Sequence, residues 1–349
     1  MHSKSSSNTA TIDVHAHLLL PTLHKEVVER APLQIAEAED LELRRNGEAS
    51  LKASATMIQK IIPQLTEVSA RLKVMDEQGI DHQWVSVSPN HFYPWANEEL
   101  SLWIAQETNR LVALHVQHAP DRLTGFGVVP LQHPSQIVEC VDNAVLEHGL
   151  AGVEISSFAG SIELSDERLD PFWSRMEELG AIVFLHPFGC SLDERLNRYY
   201  LSNTVGQPTE NAVALSHLIF SGVLDRFPDL IIVAAHGGGY LPSTIGRSDR
   251  AWRVRPESRG CIHPPSTYLK KLWFDTVLHN PVELRHLVES VGASQVVLGS
   301  DFPFDMGMDT PVEDILAAGL SDEDTPLVLG ANASSLLDKI KTRNSLDFN

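Results

Sequence analysis

Eight short, almost wholly apolar runs recur along the chain, at residues 12–17, 83–88, 125–131, 151–155, 182–186, 230–236, 272–277 and 296–300. Longer stretches with the spacing of amphipathic helices lie between them. Runs that are apolar throughout, rather than alternating, suit parallel strands covered by helices. The periodicity predicts helices over 65–78, 97–118, 134–147, 170–179, 209–227, 281–291 and 311–318, with a closing helix over 332–341. Pro281 and Pro311 stand at first-turn positions, and Gly79, Gly149, Gly180 and Gly319 follow helix ends. Eight strand–helix alternations within 349 residues, 43% of them apolar, predict a closed (β/α)8 TIM barrel. An open doubly wound sheet is the other architecture with this rhythm.

The barrel is expected to occupy residues 12–343 as one domain, behind a loose polar tail at 1–11. About 65 residues separate the first run from the second, more than a loop and one helix require. An insertion at about 20–62 follows, charged at 37–45 and helical in part. A long excursion at the carboxyl end of a barrel strand commonly caps the active site.

Charge narrows the choice of partners. Lys and Arg number 27 against 46 Asp and Glu, a formal net charge of −19. So acidic a surface repels phosphate backbones and anionic membranes, so neither nucleic acid nor membrane is an expected partner. No apolar run approaches the roughly 20 residues of a membrane span. The three cysteines have neither metal-site nor disulfide-framework spacing, which points to a reducing, cytoplasmic setting.

Sixteen histidines are the unusual count. His15 and His17, in Asp13-Val14-His15-Ala16-His17, are two apart on the first strand and share a face. Two imidazoles aimed into a barrel mouth can chelate one divalent ion. The fifth run ends in His186, the sixth in His236 and the eighth in Asp301. Any one of these could be a hydrogen-bonded core residue, but a barrel brings all four strand ends onto one face. Together they make a plausible ligand shell with positions left for water and substrate. Gly237-Gly238-Gly239 after His236 either makes a tight turn or lets substrate approach closely. Glu154, in the fourth run, is read as an ion-paired or mouth-facing group before a ligand or base. That strand has no lysine, which disfavours a two-metal centre bridged by a modified lysine. The remaining histidines, His91 among them, are expected at surface or capping positions, with His279 after the seventh strand the best further site candidate. Arg247, Arg250, Arg253 and Arg255 form a salt-bridged face or a fork for a substrate carboxylate.

These motifs, with Leu185-His186-Pro187, Gly299-Ser300-Asp301-Phe302-Pro303-Phe304, Met75-Asp76-Glu77-Gln78-Gly79-Ile80-Asp81 and Gly246-Arg247, resemble the amidohydrolase superfamily, in the branch around aminocarboxymuconate semialdehyde decarboxylase. The resemblance runs from about residue 11 to 340. It implies one divalent metal ion, zinc first and manganese second, held by His15, His17, His186 and Asp301. It implies His236 as general base or acid, with Asp301 assisting. It also implies that Arg247 reaches across a dimer interface to the neighbouring subunit's substrate carboxylate, so a homodimer or higher homo-oligomer is expected. A second substrate-binding arginine of that branch falls by count on Gln59, beside Lys60, and the segment Tyr199–Asn203 departs from the branch and shapes the pocket. The expected activity is non-oxidative decarboxylation of a small unsaturated or aromatic carboxylic acid. The alternative is a metal-dependent hydrolase or hydratase acting on a carbon–carbon bond, lactone or enol acid.

Overall fold

The computed structural model describes residues 10–346. Most of the expected N-terminal tail, residues 1–9, lies outside them. Eight parallel strands follow one another in sequence order: β1 (Ile12–Leu18), β2 (His82–Val87), β3 (Leu123–Val128), β4 (Gly152–Ile155), β5 (Ile182–Leu185), β6 (Ile231–Ala234), β7 (Trp273–Asp275) and β8 (Val296–Val297). The sheet closes on itself. Val14 N–H donates to the Leu298 carbonyl at 2.8 Å, and Ala16 bridges in parallel to Phe302. This is the (β/α)8 barrel.

The apolar runs work because both faces of each strand are buried. Ile182 and Phe184 point inward with Val14, Trp84, Phe126 and Val233. Val183 and Leu185 point outward with Val153, Ile155 and Ile232 into the helical layer. Each fully buried side chain of this kind contributes roughly 1.5–3 kcal/mol. The close pairing of Gly152 in β4 with Ile182 in β5 leaves no room for a side chain; a Cβ there would stand 1.8 Å from the Ile182 carbonyl oxygen.

Four helices, α1 (Pro21–Arg30), α2 (Pro32–Asn46), α3 (Glu48–Thr66) and α4 (Val68–Gln78), lie between β1 and β2. The turn between α2 and α3 docks on the loop after β5: Arg45 Nε lies 2.8 Å from Asp193 Oδ1 and Arg44 Nε 3.5 Å from Glu194 Oε1. The remaining α-helices of six residues or more are α5 (Glu98–Gln117), α6 (Ile137–Asp142), α7 (Asp170–Leu179), α8 (Gln207–Phe220), α9 (Leu241–Val254), α10 (Pro281–Val291), α11 (Pro311–Ala317) and α12 (Asn332–Leu346). Their ends follow the sequence signals: Gly79 and Gly180 are left-handed caps, and the Asn280 side chain accepts from Val282 N–H at 2.9 Å.

Three expectations differ from the structure. The helix expected over 134–147 divides into a 3-10 turn, α6 and a π-helical turn. The helix over 209–227 breaks at Gly222, whose φ of +73° no helix accommodates. α9 was not anticipated: its N-cap Tyr240 makes no side-chain cap and Gly246 lies in its middle, so the pattern lacks a start signal and a strong interior.

Candidate metal centre

β1, β5, β6 and β8 deliver the five expected side chains to one point at the carboxyl end of the barrel. The donor atoms of His15, His186, His236 and Asp301 lie within 4.8 Å of one another. His17 joins at the edge, its Nε2 3.0 Å from His15 Nε2 and 3.2 Å from Asp301 Oδ1. Asp301 Oδ1 stands 3.4 Å from His15 Nε2, and its Oδ2 3.6 Å from His236 Nε2. His15, His17, His186 and Asp301 are buried; His236 is the partly exposed member. His236 and Asp301 also have left-handed backbones, with φ of +52° and +58°. Such conformations cost on the order of 1–3 kcal/mol each and persist where surroundings impose them, as at functional sites.

What fixes the imidazoles is the bond each makes through its other nitrogen. His17 Nδ1 lies 3.1 Å from the Val87 carbonyl and His186 Nδ1 2.9 Å from the Pro187 carbonyl. A carbonyl only accepts, so both Nδ1 atoms carry a proton, and in the neutral rings both Nε2 atoms present lone pairs to the centre. His15 Nδ1 lies 2.6 Å from Asp275 Oδ2, and the same carboxylate accepts Gly237 N–H at 2.9 Å and Val277 N–H at 3.2 Å. Asp275 is thus a carboxylate that orients a ligand, a role sequence reasoning missed. Its signal was a lone acid in the seventh apolar run.

Electrostatics agree with a cation site. Burial opposes ionisation of Asp301, yet His15, His17 and His236 hold its carboxyl well below the usual carboxylate range. Burial likewise opposes ionisation of Asp275, but the bond from His15, the charges of His15 and His236 and the Gly237 N–H hold it low. Burial and the neighbouring imidazoles push His186 well below the ordinary histidine value. Burial also opposes protonation of His17, but Asp301 and Glu154 carry it above that value. Two imidazole nitrogens 3.0 Å apart beside an ionised carboxylate, which draws positive charge onto His17, suit a shared positive centre. Donors bound at roughly 2.0–2.2 Å to one ion stand at about this separation, so the residues fit a divalent metal.

A cavity of about 590 Å³ opens from the centre, reaching His236, Gly237 and Asp301. Val277, Leu278, Leu287 and Met306 give it apolar walls; Asn203 and Gln207 add polar groups, and among the described residues no lysine or arginine lines it. The segment around Tyr199 and Tyr200 sets one wall. Both have left-handed backbones, and the Tyr200 carbonyl accepts the N–H groups of Asn203 and Thr204, which line the cavity. Gly237, Gly238 and Gly239 all have positive φ, and a Cβ on Gly239 would stand 2.0 Å from the Pro208 carbonyl oxygen. They make the tight turn, and Gly237 and Gly239 also face the cavity.

The other candidates fall outside the cluster. Glu154 is fully buried, and burial raises its pKa to about 7 against the opposing pull of His17 and Ser86. His279 is exposed, with φ +57°, on the cavity rim. Arg247 lies on the exposed face of α9, outside the cavity lining. His91, expected at the surface, is buried: its Nε2 accepts Leu20 N–H at 2.9 Å where the insertion leaves β1.

Residues 12–339 match the amidohydrolase family. A 2-amino-3-carboxymuconate-6-semialdehyde decarboxylase from Dictyostelium discoideum is 34% identical over 270 residues, 76% of this chain and 75% of its own. A gamma-resorcylate decarboxylase from Rhodococcus jostii is 28% identical over 283 residues, 76% of this chain and 86% of its own. Among solved structures, a 5-carboxyvanillate decarboxylase from Novosphingobium aromaticivorans, complexed with manganese and 4-hydroxy-3-methoxy-5-nitrobenzoic acid, superposes with a TM-score of 0.82. It is 21% identical, with 95% of this chain and 96% of that one covered.

Proposed function

The chain belongs to the amidohydrolase family, and from that premise we propose that it is a metal-dependent, non-oxidative decarboxylase of small aromatic carboxylic acids. The observation that carries the reading is the convergence of imidazole Nε2 atoms, their tautomers set by partners behind them, on Asp301 beside an apolar cavity. Three relatives described above act as decarboxylases, two of them on aromatic acids by name. The hydrolase or hydratase alternative finds no support among them.

His15, His17, His186 and Asp301 would hold one divalent ion. Bound there, the ion supplies a Lewis acid that holds a substrate oxygen and stabilises negative charge as the carbon–carbon bond breaks. Zinc suits three imidazoles and a carboxylate, and the manganese of the solved relative makes that metal the second choice. Loss of carbon dioxide leaves an electron pair on the ring carbon, which must gain a proton. His236 is placed to deliver it. Of the clustered imidazoles it is the one that lines the cavity, its Nδ1 makes no hydrogen bond, and Asp301 Oδ2 lies 3.6 Å from its Nε2. The apolar walls take the ring and exclude water from the charged step. Arg247, exposed on α9, would enter the partner subunit's cavity in a homodimer, supplying a lysine or arginine charge that is absent from the lining among the described residues. Three free, buried cysteines suit a cytoplasmic enzyme.

Purified protein loaded with zinc or manganese is tested on hydroxybenzoates and 5-carboxyvanillate. The reading predicts one carbon dioxide per decarboxylated arene. Conversion of any of these acids without carbon dioxide release would refute it.

A further inference from the structure

Next to the metal centre, among residues that do not line the cavity, runs a chain of buried polar contacts that neither the proposed chemistry nor the fold accounts for. Arg71 of α4 has a fully buried side chain. Its Nη2 donates to the His17 carbonyl at 2.5 Å and its Nη1 to Gln83 Oε1 at 2.7 Å. Gln83 Nε2 donates to Asp13 Oδ2 at 2.8 Å. Asp13 Oδ1 accepts His15 N–H at 3.1 Å and Ser300 N–H at 2.9 Å, while its Oδ2 accepts the Ser300 hydroxyl at 2.6 Å. The guanidinium also stands 5.1 Å from the centre of the Phe302 ring. Every backbone group at the end of this chain belongs to a proposed ligand or its neighbour: His15, His17, and Ser300 just before Asp301.

Burying a guanidinium that meets its carboxylate only through an amide is a poor way to gain stability. An apolar side chain of similar volume would do as well or better. What the arrangement provides is position. β1 and β8 meet at the barrel's closing seam, where β8 is two residues long and β1 has an irregular register between Asp13 and Ala16. The regular ladder is therefore weakest where three of the proposed donors attach. We infer that Arg71 is a positioning residue for the metal site: with Gln83, Asp13 and Ser300 it locks the His15–His17 segment of β1 to Asp301 after β8. The inference rests on the metal reading above. It adds that the donor spacing depends on a cation outside the coordination shell.

Lysine keeps the charge but offers a point donor, which cannot hold the His17 carbonyl and Gln83 in one planar fork. Arg71→Lys is expected to weaken metal binding about 10- to 100-fold, the usual effect of losing an outer partner of a metal site. Ser300→Ala removes a single bond to Asp13, and is expected to weaken binding about fivefold, equivalent to roughly 1 kcal/mol. It serves as the second variant should Arg71→Lys not fold. The measurements are the zinc dissociation constant by chelator competition, the visible spectrum of the cobalt(II) form, and the unfolding midpoint of the metal-free chain. Weaker zinc binding and an altered cobalt spectrum, beyond what the change in midpoint explains, support the inference. A lower midpoint with zinc affinity within twofold of the parent and an unchanged spectrum would overturn it, reducing Arg71 to a packing group. A parent chain that takes up no ion would sink the metal reading itself, and this inference with it.

Discussion

Asp275→Asn removes one charge and almost no volume, so its effect isolates what this carboxylate does. Oδ1 of Asp275 accepts two backbone N–H groups, from Gly237 at 2.9 Å and Val277 at 3.2 Å, while Oδ2 faces His15 Nδ1 at 2.6 Å. An asparagine must keep its oxygen on the two N–H groups, because turning the amide would set two donors against an –NH2. Its –NH2 then faces His15 Nδ1, which can answer only as an acceptor. The imidazole proton moves to Nε2, the atom aimed at the metal, and His15 can no longer ligate without breaking that contact. A hydrogen bond to a charged group in a buried site is worth about 1.5–3 kcal/mol, and about 1.4 kcal/mol is tenfold in a binding constant. Metal affinity is therefore expected to fall about 10- to 100-fold. Turnover at saturating metal should fall as well, because the ion would be held in a shell lacking one imidazole. Chelator competition on the folded variant, checked by circular dichroism, measures the first effect. An affinity within twofold of the parent would refute the tautomer argument.

Other outcomes follow from the same geometry. His236→Ala should keep one metal ion per chain while losing about 100- to 10,000-fold in turnover, the usual share of a positioned acid or base; loss of metal together with activity would instead make His236 a ligand. Arg247→Ala mixed with His236→Ala should regain partial activity through hybrid sites, and absence of any rescue would place Arg247 on an ordinary salt-bridged face. Burial and His24 lower the pKa of His91 from 6.5 to about 4. The unfolded chain therefore binds more protons between those limits, so stability should fall as pH drops from 6.5 towards 4. The share due to His91 is on the order of 3 kcal/mol. Urea unfolding at pH 7 and pH 4.5 measures the loss, and His91→Gln should shrink it; an equal loss in parent and variant would clear His91.

The barrel was legible because parallel strands buried on both faces leave continuous β-branched runs. All eight strands coincide with such runs to within a few residues. The ligand cluster was legible because barrel chemistry sits at strand ends, where His15, His17, His186, His236 and Asp301 all stand. What the sequence hid depends on contacts distant along the chain. Asp275 meets His15 across 260 positions, and Arg71 meets His17 across 54. Neither carries a local pattern, since a single acid in an apolar run and a single arginine on a helix are common. α9 was hidden for another reason, lacking both a capping side chain and a strong helix interior around Gly246. His91 looked like a loop residue because the backbone N–H that it satisfies belongs to Leu20, 71 positions away.

Anomalous diffraction at a metal absorption edge, from crystals of the metal-loaded protein, bears most directly on the whole account. The expected map has one peak per chain within about 2.0–2.3 Å of His15, His17 and His186 nitrogens and an Asp301 oxygen, with the cavity opening beside His236. A peak bound elsewhere, or no peak from crystals grown in excess metal, would contradict it.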